Sequence, residues 1–152
     1  MANTYTQLYT HVVFAVKYRR NHIHKTWQDE LYKYISGVVS NHNQKLMIIG
    51  GMPDHVHILL GTRPNCNLSD LVRIIKANSS KWINEKKLTK TKFEWQEGFG
   101  AFTVSQSQLP RVINYIKNQE QHHKKKTFKE EYIEFLEAYK VDYNEDYLLD
   151  KE

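Results

Sequence analysis

The succession of hydrophobic patterns constrains this chain more than any single residue does. Residues 8–16 (LYTHVVFAV) are β-branched and aromatic, as in a strand, and Lys17, Arg19 and Arg20 close the segment with a basic edge. Between residues 25 and 43 the apolar side chains Trp27, Leu31, Tyr34, Ile35, Val38 and Val39 recur every three or four positions, which predicts an amphipathic helix with Thr26 as N-cap. Two short apolar runs, 46–49 and 55–60, are separated by Gly50, Gly51, Pro53 and Asp54, the punctuation of a hairpin. A second helix is predicted over 68–82, with Asn67 or Ser69 as its cap, and a fourth strand over 101–105 after Gly98 and Gly100. A third helix starts after Ser107, tolerates Pro110 in its first turn, carries the stripe Leu109, Val112, Ile113 and Ile116, and ends in the basic run 122–126. A last helical stretch, 127–139, holds Phe128, Tyr132, Phe135 and Leu136.

Strand, helix, strand, strand, helix, strand is the split βαβ or ferredoxin-like order. The expected fold is therefore α+β: a four-stranded antiparallel sheet with two helices on one face and an additional C-terminal helix. The other sheet face is expected to be bare, with the third helix, from this chain or a partner, covering part of it. A chain of 152 residues has room for one such domain, 1–139, followed by an acidic tail, 140–152. Nine acids and two lysines give residues 130–152 a net charge of −7, so the total of +5 leaves +12 on residues 1–129. A basic body suits a polyanion, because Lys and Arg release counterions from phosphates. Lone Cys66 has no partner for an internal disulfide or a CxxC site, and no apolar stretch reaches the ~18 residues of a membrane span. The first residues, MANTYTQLYTHVVF, lack the order of a signal peptide, so a cytoplasmic protein with no membrane partner is expected.

Chemistry concentrates in Met52-Pro53-Asp54-His55-Val56-His57-Ile58-Leu59-Leu60. Side chains alternate along a strand, so His55 and His57 share one face about 7 Å apart, while Val56, Ile58 and Leu60 share the other. If the apolar set faces the two core helices, both imidazoles stand on the bare face, open to a cation and a phosphate. By themselves they fit a metal site or a satisfied structural pair about equally. On the third helix Tyr115 and Gln119 lie four residues apart and point the same way, beside the apolar stripe.

The ordered set 11–20 (HVVFAVKYRR), 51–57 (GMPDHVH), 71–80 (LVRIIKANSS) and 115–119 (YIKNQ) followed by His122-His123 resembles the small single-tyrosine transposases of the HUH class, the TnpA proteins of bacterial insertion sequences that move as single-stranded DNA. The likeness covers nearly the whole chain. It implies a divalent metal held by His55, His57 and Gln119, with Tyr115 as the nucleophile carried by the C-terminal helix. Mg²⁺ or Mn²⁺ suits two imidazoles and an amide oxygen, with Zn²⁺ able to enter in vitro. Such an ion neutralises charge on a scissile phosphate, and attack by tyrosine leaves a 5′-phosphotyrosine link and a free 3′-hydroxyl. No base for the phenol is evident in the sequence. The resemblance also implies single-stranded DNA with a hairpin as partner, and a homodimer in which the tyrosine of one subunit serves the histidines of the other.

Three basic patches, Lys17, Arg19 and Arg20, then Arg73, Lys76 and Lys81, then Lys124, Lys125 and Lys126, are candidates for DNA contact. Trp95, Phe99 and Phe102 are candidates for base stacking, with core packing expected for at least two of them. His122 and His123 could assist the site or cap the helix end. The leading expectation is a metal-dependent strand transferase acting on hairpin-bearing DNA ends. The alternatives are a domesticated relative that processes dispersed palindromic repeats by the same chemistry, a non-catalytic ferredoxin-like nucleic-acid binder, and a replication or mobilisation nickase.

Overall fold

The computed structural model describes residues 4–148. Its strands are β1 (Leu8–Ala15), β2 (Lys45–Met52), β3 (His55–Thr62) and β4 (Gly100–Val104). Its α-helices, numbered in chain order, are α1 (Lys25–Asn41), α2 (Leu68–Glu85), α3 (Leu109–Lys117), α4 (Gln119–His123) and α5 (Phe128–Ala138). The strands form one antiparallel sheet in the order β2-β3-β1-β4, which is the ferredoxin-like arrangement.

Alternation sorts the central strands as their sequences require. Val12, Phe14 and Val16, with Val56, Ile58 and Leu60, pack against Trp27, Leu31, Ile35 and Val39 of α1 and Leu71, Val72 and Ile75 of α2. Burying each of these side chains is worth ~1.5–3 kcal/mol, so this face is the main source of stability. Asn67 caps α2 by accepting from the backbone N–H of Asp70. At α1 the expectation was wrong: His24, not Thr26, holds the cap position, and no side chain caps the helix.

The second face is not bare. Helix α3 lies over β2 and β3, with Ile116 packed on Leu59 and Val104. Helix α5 covers the remainder, placing Phe128 and Leu136 against Val13, Ala15 and Phe102. Two glycines admit these helices. A Cβ on Gly50 would collide with the Ile116 carbonyl, and one on Gly100 would stand 2.6 Å from the Tyr132 ring. The predicted third helix is also interrupted: Asn118, at φ −102° and ψ 31°, separates α3 from α4. The chain then turns back, and Thr127 starts α5 with a capping box closed by Glu130.

Candidate active site

Because α3 and α5 close over the sheet, His55 and His57 are fully buried instead of standing on an open face. Their alternation with Val56 and Ile58 is as the strand pattern demands, and each ring is fixed from behind. His55 Nδ1 donates to Asp54 Oδ1 at 2.7 Å, and His57 Nδ1 shares a hydrogen bond with His11 Nε2 at 2.8 Å. Both Nε2 atoms are thereby turned toward one centre, the outer-sphere arrangement that orients metal-binding imidazoles.

Three further helices deliver groups to that centre. From α4, Gln119 places Oε1 3.2 Å from His55 Nε2, and its Nε2 reaches back toward the Tyr115 carbonyl at 3.4 Å across the helix break. From α3, the Tyr115 ring lies edge-on to His57, with centroids 5.8 Å apart, and its hydroxyl donates to Glu131 Oε2. From α5, Glu131 puts Oε1 2.9 Å from His57 Nε2 and 3.6 Å from His55 Nε2. His123 Nε2 stands 3.3 Å from the same oxygen, while its Nδ1 donates to the Lys126 carbonyl. Ligating atoms of His55, His57, His123 and Glu131 all lie within 4.8 Å of one another.

The electrostatics follow from burial among these groups. Desolvation pulls His57 down to about 4, against its hydrogen bond to Glu131, and pulls His11 down to about 3, with His57 adding to the effect. Burial opposes ionisation of Glu131, yet hydrogen bonds with His123 and His57 and the Tyr115 hydroxyl outweigh it, so its carboxyl titrates well below the ordinary range. Burial, reinforced by the Glu131 charge, pushes the Tyr115 phenol well above its ordinary value. His123 rises because its contacts with Glu131 outweigh its desolvation.

A divalent ion fits this donor set. With its Nδ1–H committed to Asp54, the His55 ring presents a lone pair at Nε2 to two other acceptors, Gln119 Oε1 and Glu131 Oε1. Acceptors gathered around one point are reconciled by a cation.

The expected basic residues divide among separate places. Lys124 and Lys125 line a cleft of about 450 Å³ with Asp54, His123 and Lys126, at the edge of the buried cluster. Lys17, Arg73 and Lys76 line a groove of about 610 Å³ beside α2, together with Trp95 and Phe99. Lys76 Nζ donates to the carbonyls of Gln96 and Gly98 there, tying the loop before β4 to α2. Arg73 pairs with Asp70 at 3.8 Å and Lys81 with Glu85 at 3.9 Å. Arg19 belongs to a short 3₁₀ turn (Lys17–Arg19), and Arg20, which follows it, lies over the Tyr18 ring. Trp95 and Phe102 are core residues, and Phe99 is half-buried. The side chain of His122 lies outside the described residues.

Glu131 was missed by the sequence reading. Its signal was an acid one turn after Phe128 and four residues before Phe135, inside the apolar stripe of α5.

The ferredoxin-like sheet thus carries paired imidazoles, with a tyrosine and a glutamine brought in by the helices that follow it. Residues 4–119 match the model of the family described as Transposase IS200 like, and the chain belongs to that family. It is therefore a DNA strand-transferase of the transposase class. It is 25% identical over 118 residues to the ISDra2 transposase TnpA of Deinococcus radiodurans, covering 74% of this chain and 84% of that protein. A crystal structure of a transposase candidate from Deinococcus radiodurans superposes with a TM-score of 0.64 at 25% identity, over 78% of this chain and 95% of the other. A REP-associated tyrosine transposase bound to a REP hairpin shares the fold, with a TM-score of 0.57 at 16% identity over 76% and 68% of the two chains. Among the described residues no helix is long and apolar enough to cross a membrane.

Proposed function

We propose that this protein cleaves and rejoins single-stranded DNA at hairpin-bearing ends through a tyrosine-linked intermediate. The observation that carries the reading is the convergence, within one chain, of His55, His57 and Gln119 on a point bordered by the Tyr115 hydroxyl. The hairpin-bound relative supports a hairpin substrate by analogy of fold. His55, His57 and Gln119 would hold Mg²⁺ or Mn²⁺, which supplies a Lewis acid for the non-bridging oxygens of the scissile phosphate.

Tyr115 Oη attacks phosphorus and displaces the 3′-oxygen, forming a 5′-phosphotyrosine bond and freeing a 3′-hydroxyl. Its phenolic proton leaves along the hydrogen bond to Glu131 Oε2 and is handed to the departing 3′-oxygen, so that Glu131 relays the proton and ends ionised. Attack by a second 3′-hydroxyl reverses the exchange, returns the proton to Tyr115 and joins strands without an external energy source. Lys124 and Lys125, at the cleft beside Asp54, meet the phosphates flanking the cut, while Lys17, Arg19, Arg20, Arg73, Lys76 and Lys81 are the more distant DNA-contact candidates.

The test is incubation of the protein with labelled hairpin oligonucleotides and Mn²⁺, resolved on a denaturing gel. A covalent adduct that disappears with EDTA and in Tyr115→Phe supports the reading. DNA that shifts on a native gel yet is never cleaved, with any divalent ion, would favour the non-catalytic binding module. Mixing Tyr115→Phe with His57→Ala resolves how the site is assembled. Recovered activity marks a homodimer with a shared site, and its absence marks the single-chain arrangement.

A further inference from the structure

Among the described residues Glu131 is the one acidic side chain that is buried. Thr127 fixes the start of α5, and Phe128 lies stacked on His55 with ring centroids 4.4 Å apart, so residue 131, one turn on, is driven into the sheet. Glu131 is 3% exposed. Among the described residues no lysine or arginine forms an ion pair with it; its contacts are imidazole Nε2 atoms, the Gln119 amide and the Tyr115 hydroxyl. A buried carboxylate is stable when it is paired or bound to a metal.

The separations point to the second. Two donors bound to one ion at about 2.1 Å, and about 90–110° apart, stand roughly 3.0–3.5 Å from each other. Gln119 Oε1, 3.2 Å from His55 Nε2, and Glu131 Oε1, 3.3 Å from His123 Nε2, lie within that range, and Glu131 Oε1 brackets it at 2.9 Å from His57 Nε2 and 3.6 Å from His55 Nε2. These spacings surround a common centre in a way that a hydrogen bond to one histidine alone would not require. The other oxygen, Oε2, faces Tyr115 and stays outside the ligand set.

We propose that Glu131 is a fourth protein ligand of the divalent ion, adding one anionic oxygen to the two imidazoles and the amide. The inference rests on the metal-centre reading above and extends it to a residue beyond the family-matched segment 4–119. An anionic oxygen strengthens the site for Mn²⁺ and Mg²⁺, whose preference is for hard ligands. It also ties the nucleophile to the metal through the two ends of one carboxylate.

The experiment is titration of the full-length protein with Mn²⁺, following free ion by electron paramagnetic resonance and bound ion by calorimetry. Wild type is expected to bind one ion, Glu131→Gln to bind it roughly tenfold or more weakly, and His57→Ala to lose it. Equal or tighter binding by Glu131→Gln, with loss in His57→Ala, overturns the Glu131 assignment and leaves the metal centre standing. No binding by wild type overturns both. Should Glu131→Gln fail to fold, infrared difference spectra of wild type labelled with ¹³C-glutamate carry the test. An isotope-sensitive carboxylate shift on Mn²⁺ addition supports ligation, and its absence overturns it.

Discussion

Single residues here act through the atom behind them as much as through the one in front. Asp54 is the clearest case, since its bond to His55 Nδ1 selects the tautomer that leaves Nε2 free. Asp54→Ala is expected to weaken Mn²⁺ binding about 10–100-fold without unfolding the protein, as measured by calorimetry and circular dichroism. His11 plays the matching part for His57, and both have pKa values pulled by burial from the ordinary 6.5, to about 3 and about 4. Folded-state values below the unfolded ones mean that protons favour the unfolded chain once the pH drops below about 6.5. The melting temperature of metal-free protein should therefore fall progressively from pH 6.5 toward pH 4, with the loss levelling off only below the folded values. Glu131, held low in the folded state, adds to the loss below its ordinary 4.5. His11→Gln should flatten the decline between pH 6.5 and 4 in a thermal scan series.

At the level of elements, the sheet and its two core helices were legible in the sequence, because strand alternation and helical spacing are both local signals. Asn67 was readable as a cap for the same reason. The second face was legible only in part, since the third helix was expected to cover some of it but nothing local announces that α5 folds back. Its cues were the Thr127 capping box and an acid set among aromatics, and the sequence reading used neither. The break at Asn118 was equally hidden, yet Tyr115 and Gln119 stay neighbours across it, so their pairing was foreseen although the interruption of the predicted single helix was not. Gly50 gives this scale its sharpest prediction. Gly50→Ala forces the Ile116 carbonyl off β2 and should cost about 1–3 kcal/mol in urea unfolding. It should also reduce adduct formation more than Gly37→Ala, at a site with no atom within 4 Å of an added Cβ.

For the molecule as a whole, the topology sorts the basic residues into two separate clefts. The groove beside α2 and the cleft beside Asp54 lie on different parts of the surface, one lined by Lys17, Arg73 and Lys76 and the other by Lys124 and Lys125. Replacing Lys124 and Lys125 together by Ala is expected to weaken binding of a hairpin oligonucleotide and to lower the salt slope, log K against log [salt], by about 1–2. Filter binding at several ionic strengths measures it. The three basic patches were visible in the sequence, but the joining of two of them in one groove was not, because residues 17 and 76 meet only through the fold.

The imidazole pair belongs to a strand hydrogen-bonded on both edges, whereas Glu131 comes from a late helix laid over the top. Amide protons of β3 should thus exchange with solvent only when the entire chain opens, and those of α5 by lifting of that arm alone. Lifting of α5 would carry the Glu131 carboxylate away from the imidazoles while His55 and His57 keep their places on β3.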